Sequence, residues 1–205
     1  SVSLPEGLLT IYSYAFRDCT SLESIHIPDS VTTMYNDVFN GCSKLSSVNY
    51  PLSWQTIGDS AYGDSPFYNC PKLTSMVVPE GVTAIPRNAF HGAKSLRTIK
   101  LPESLTAIGQ YAFADCAGLP TIIIPDAVKT IGSYAFNGCS GMRTIVLPPE
   151  LTAVAEHTFY GCTGLTSVSL PEGLLTIYKY AFRDCTSLES IHIPDSVTTM
   201  YNDVF

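Results

Sequence analysis

Seven cysteines recur along the chain, at Cys19, Cys42, Cys70, Cys116, Cys139, Cys162 and Cys185. Thiolates can bind zinc, pair as disulfides or attack electrophiles. Zinc sites commonly draw their ligands from pairs about two to four residues apart, whereas the shortest step here is 23 residues. An odd number of cysteines cannot pair completely. Ala93 fills the same slot in one unit. A buried, reduced ladder of small apolar side chains is therefore the expectation.

A column of carboxylates runs in parallel: Glu6, Asp29, Glu80, Glu103, Asp126, Glu172 and Asp195, each directly after a Pro. Stacked carboxylates could hold calcium. Calcium-binding solenoids show denser Gly-Asp signatures, and Asp or Glu is ordinary in a turn, so no metal site is expected. His26, His91, His157 and His192 are scattered. No Ser, His and acid set shares a unit in a suggestive way, and no Gly-rich phosphate loop is present. The sequence therefore predicts no catalytic residue and no cofactor.

What must position these columns is a repeat. Phe recurs at Phe16, Phe39, Phe67, Phe90, Phe113, Phe136, Phe159, Phe182 and Phe205, in steps of 23 residues apart from one of 28. Pro5, Pro28, Pro51, Pro79, Pro102, Pro125, Pro148, Pro171 and Pro194 keep the same rhythm. The long step places a five-residue insertion within 52–66. The segment before each Pro alternates, as in Thr98-Ile99-Lys100-Leu101, which predicts a short strand with one buried face. Pro ends that strand because it has no N–H to donate. Leu105, Ile108, Ala112 and Phe113, with their equivalents, form a second inward set across the coil. The residue before each Cys slot is Asp18, Gly41, Asn69, Gly92, Asp115, Gly138, Gly161 or Asp184. These types tolerate positive φ best, which predicts a left-handed corner. Phe, Cys and Leu at i, i+3 and i+6 predict one inward-facing 3-10 or α-helical turn.

A 23-residue unit cannot bury its own core, but stacked copies can. The prediction is a right-handed parallel β-solenoid of about nine coils over residues 1–205, one domain with short 3-10 or helical turns. The parallel sheet is expected over 24–27, 47–50, 75–78, 98–101, 121–124, 144–147, 167–170 and 190–193. Net charge is −7 at pH 7, which disfavours nucleic acid and anionic lipid surfaces. No apolar run reaches the roughly 20 residues of a membrane span, so no membrane insertion is expected.

The residues LPESLTAIGQYAFADCAGL at 101–119 and IPDAVKTIGSYAFNGCSGM at 124–142 resemble the BspA-like, Treponema-type leucine-rich repeat family. The resemblance covers essentially the whole chain. It implies a leucine-rich-repeat solenoid on an extracellular or cell-surface protein that binds host or microbial surface or matrix proteins. It brings no catalytic motif with it.

Candidate contacts lie on the strand face and in the insertion. Outward residues run Ser3, His26, Asn49, Val77, Lys100, Ile123, Val146, Ser169 and His192. Val77, Ile123 and Val146 form an apolar row broken by Lys100, read either as a protein-binding surface or as bare β-propensity. The mixture argues against an ice-binding face, which would want uniform Thr pairs. Trp54 in the insertion, with Tyr62 and Tyr68 near it, is either an anchor for a partner or folded back over the solenoid edge. Residues 1–39 recur at 167–205 with one change, Ser13 to Lys179. That duplication suits a structural spacer, the alternative to an adhesion module. The end coils lack polar caps and are expected to expose Val2, Leu4, Leu8, Ile11 and Phe16 at one end and Ile191, Ile193, Val197, Met200 and Phe205 at the other, which favours end-to-end self-association.

Overall fold

The computed structural model describes residues 2–57 and 65–205. The nine Phe rings stack in one file from Phe16 to Phe205, so eight turns separate first from last. Between Phe90 and Phe182 successive centroids lie 5.3–5.5 Å apart. On either side of Phe67 the spacing widens to 5.9 Å. All described pairing is parallel. The protein is a parallel β-solenoid.

Two ladders run along it. The face predicted as strand carries β2 (Ser24–Ile25), β4 (Ser47–Val48), β6 (Ser75–Val77), β8 (Thr98–Lys100), β11 (Thr144–Val146) and β13 (Ser167–Ser169). The other carries β1 (Thr10–Ile11), β3 (Thr33–Met34), β5 (Thr56–Ile57), β7 (Ala84–Ile85), β9 (Ala107–Ile108), β10 (Thr130–Ile131), β12 (Ala153–Val154), β14 (Thr176–Ile177) and β15 (Thr199–Met200). The second ladder is the inward set that the sequence marks only as buried positions. The expected single sheet is instead three pairs, β2–β4, β6–β8 and β11–β13, and residues 121–124 and 190–193 form no strand.

A local cause explains the break at 121–124. In regular units the residue two before the central inward Ile or Val donates to the preceding coil: Arg97 to Thr74, and Thr166 to Arg143. Pro120 holds that position and has no N–H to give. Its carbonyl still accepts from Arg143 N–H at 2.8 Å, so the coil is tied on one side only.

The left-handed corners appear as expected, at Asp18, Gly41, Asn69, Gly92, Asp115, Gly138, Gly161 and Asp184. A second left-handed column, two residues before Phe, was not foreseen: Tyr14, Asp37, Asn88, Tyr111, Tyr134, His157, Tyr180 and Asp203. The turns between are single i to i+3 bonds, such as Cys139 N–H to Phe136 carbonyl at 3.2 Å, and none extends into a helix. Of the end residues expected in solvent, Val2, Met200 and Phe205 are exposed, but Ile11 is buried. Leu4, Leu8, Phe16, Ile191, Ile193 and Val197 are half-buried against the core.

Candidate functional site

The strand face presents the outward column almost as read. Ser3, His26, Val77, Lys100, Ile123, Val146, Ser169 and His192 are exposed. Asn49 departs from this: its side-chain amide bonds back to Ile27, accepting from the N–H at 2.7 Å and donating to the carbonyl at 2.8 Å. Val77 is 61% exposed, Ile123 84% and Val146 66%. In register Val77 lies beside Lys100, and Val146 beside Ser169. Parallel coils step about 4.8 Å apart, so the four residues from Val77 to Val146 span three steps, roughly 14 Å.

The break at Pro120 falls inside this row. Between residues 121–124 and β11 runs a groove of about 300 Å³, lined by Thr121, Ile123, Thr144, Val146, Asp126 and Pro148. Thr121 bridges across it, its hydroxyl donating to the Thr144 carbonyl at 3.1 Å. Ile123 thus stands on a segment that pairs in no strand ladder, on a groove with an apolar wall and an acidic residue at its margin.

Trp54 is not an outer contact. Its indole is 2% exposed, its Nε1 donates to the Thr56 carbonyl at 2.9 Å, and it packs on Tyr50, Phe67 and Phe90. Tyr50 replaces the aliphatic residue that precedes Pro in the other units, and the indole packs against its ring with centroids 4.9 Å apart. Burial raises the Tyr50 phenol above its usual range, and its hydroxyl has no partner among the described residues. Tyr68 is half-buried, and Tyr62 lies outside the described residues.

The cysteines are all free; six are buried, and Cys19 is exposed, contrary to expectation. Each buried thiol donates to the Phe carbonyl of the preceding coil. Cys42 reaches Phe16, Cys70 Phe39, Cys116 Phe90, Cys139 Phe113, Cys162 Phe136 and Cys185 Phe159, all at 3.0–3.2 Å. Among the described residues no Phe carbonyl of a preceding coil accepts from Cys19. Burial holds Cys116 and Cys139 well above the ordinary thiol range and pushes Cys70 up to about 12. These groups stay protonated and act as weak donors, not nucleophiles. The carboxylates after Pro are exposed, and Asp29 and Glu80 accept from backbone N–H groups of the next coil. Among the described residues no group of three or more His, Cys, Asp or Glu could hold a metal ion.

The unforeseen second corner column brings Tyr111, Tyr134, His157 and Tyr180 into one stack, with centroids 4.3–4.7 Å apart. Burial lowers the His157 pKa, although Glu156 opposes the shift from 3.4 Å. The sequence signal was present in Asp37, Asn88, His157 and Asp203, types enriched at positive φ. Tyr at the other positions masks it.

Comparison with known proteins follows the same lines. The sequence model of the BspA type leucine rich repeat region matches in six copies, over residues 1–105, 62–162 and 106–205. A leucine-rich repeat protein of T. pallidum is 28% identical, with a TM-score of 0.59 over 91% of this chain and 77% of that one. A leucine-rich repeat protein from Eubacterium ventriosum is 19% identical, with a TM-score of 0.51 over 97% of this chain and 80% of that one, a likeness of fold. No curated protein matches the chain. No helix among the described residues is long and apolar enough to cross a membrane.

Proposed function

Because this chain belongs to the BspA type leucine-rich repeat family, we propose that it is a non-enzymatic protein-binding module of a cell surface, and that Val77, Lys100, Ile123 and Val146 make the contact. The observation carrying this is the exposed apolar row running across the break in the strand ladder at residues 121–124. A bare β-propensity explanation accounts for Val and Ile in a strand, but Ile123 is 84% exposed on a segment that forms none. The partner class is a host or microbial surface or matrix protein that offers apolar side chains and tolerates an acidic neighbour.

The test is a triple variant, V77D/I123D/V146D, measured beside the parent chain against a panel of purified matrix and bacterial surface proteins. Burying one such side chain contributes about 1.5 kcal/mol, so a bound partner should lose far more than tenfold in affinity. The positions are exposed, so the unfolding midpoint should hold. Unchanged affinity in the triple variant would sink this surface. The spacer reading is favoured by one observation: the duplicated blocks pack alike, with Tyr12–Tyr35 centroids at 4.9 Å and Tyr178–Tyr201 at 5.0 Å. A panel in which nothing binds the parent chain would favour the spacer.

A further inference from the structure

The stack is least regular where the coil of Phe67 meets the coil of Phe90. In the other units the Phe N–H donates to the carbonyl just before the next Phe, as Phe90 does to Ala112 and Phe113 to Ala135. Phe67 N–H turns instead to the Ser65 hydroxyl at 3.2 Å. The carbonyl of His91 is taken by Ser65 N–H at 3.0 Å, a slip of several residues along the lower coil. This is also the unit in which Ala93 replaces Cys. No thiol reaches down to the Phe67 carbonyl, and among the described residues no donor meets it.

At the two defects lies a pocket of about 180 Å³ that opens to solvent past Asn69, Lys94 and Ser95 and backs onto Phe67, Cys70, Met76, Phe90, Ala93 and Leu96. An apolar cavity of about 150 Å³ is enough to take up benzene. Two sulfur atoms, on Cys70 and Met76, line this one, and sulfur against an aromatic ring is a favourable contact. The Cys70 thiol is already engaged with the Phe39 carbonyl, so its sulfur serves as wall. A buried carbonyl without a donor is a cost that any guest with an O–H or N–H can remove.

We propose that this cavity is a binding site for a small neutral aromatic molecule of one ring carrying one hydrogen-bond donor, of the phenol class. The ring occupies the space beside Cys70 and Met76, and the donor takes the Phe67 carbonyl. The regular corners exclude such a guest, because a Cys fills the slot and donates to the same carbonyl.

Phenol and toluene, matched in ring and size, are titrated into the full chain by ligand-observed NMR and by thermal shift. The parent should bind one phenol per chain saturably and gain in unfolding midpoint. A93L, which fills the space, should weaken both compounds at least tenfold. A93C installs the residue of the other units, so it tests the site even if A93L folds poorly. Its thiol claims the Phe67 carbonyl, so phenol should lose more affinity than toluene. Non-saturable binding, equal affinity in A93C, or a phenol-soaked crystal with only ordered water in the cavity would each overturn the assignment.

Discussion

Cys139→Ala tests what holds the corner column together. The Cys139 side chain is fully buried, and its thiol lies 3.1 Å from the Phe113 carbonyl. Truncation removes one sulfur from a packed slot, comparable to deleting one methyl group, at about 0.5–1.5 kcal/mol. It also removes a weak S–H to carbonyl bond worth a further ~0.5 kcal/mol. The expected loss is about 1.5 kcal/mol, which in a chain of this size lowers the midpoint by roughly 3–6 °C. Cys139→Ser separates the two contributions: a hydroxyl is a better donor but a smaller, more polar filling. If packing dominates, Ser is at least as damaging as Ala; if donation dominates, Ser restores the parent stability. Urea unfolding followed by far-ultraviolet circular dichroism and by Trp54 fluorescence reads both the loss and its reach. Repeat arrays can lose cooperativity, so a dichroism midpoint that falls while the Trp54 midpoint holds would mean unfolding in pieces. A change for Cys139→Ala within the ~0.5 kcal/mol of ordinary surface substitutions would refute the packing argument.

Two corner glycines separate backbone strain from collision. Gly161 has φ of 69° and nothing closer than 4.0 Å to an added Cβ, so Gly161→Ala should cost only the left-handed penalty, about 1 kcal/mol. At Gly138, φ 68°, the added Cβ would run into Asp115 Oδ1, so Gly138→Ala should cost clearly more in the same urea assay, and the excess should vanish in an Asp115→Gly background. Equal costs for the two single variants would remove the collision argument. Native labelling with a thiol reagent should modify Cys19 quickly and the six buried thiols only on unfolding; a second fast thiol, mapped by mass spectrometry, would contradict the buried ladder.

The period alone carried the architecture, because in a solenoid every residue type repeats in the slot where its physics is needed. The corner before Cys was legible since only Gly, Asn and Asp occur there. The corner before Phe was not, since Tyr occupies half of its positions and is held at positive φ by backbone bonds such as Tyr134 N–H to Glu156 at 3.0 Å. The continuous sheet was over-read. Four-residue alternation reports burial within a coil, whereas ladders depend on donors between coils, and Pro120 silently withdraws one. Trp54 could not be decided from sequence, because its burial rests on packing against Tyr50, Phe67 and Phe90, contacts between units that no local pattern marks.

The same irregularities bear on where a partner can be recognised. A perfect array offers one set of groups per turn, with backbone donors and acceptors spent on neighbouring coils, so each turn looks like the next. Selectivity needs a place where the sum differs. The duplicated blocks 1–39 and 167–205 add length but the same chemistry. Between them, the insertion and Ala93 loosen one junction, and Pro120 loosens another two coils on. The exposed apolar row from Val77 to Val146 spans the interval between those two loosened junctions. Tightening the second junction should therefore matter to a partner. Pro120→Thr would return the missing donor to the ladder on the β8 side and draw residues 121–124 into strand, shifting the Ile123 wall of the groove it shares with β11. A partner that reads only the regular strand face would gain or keep affinity in that variant, whereas one that seats a side chain in the groove would lose it.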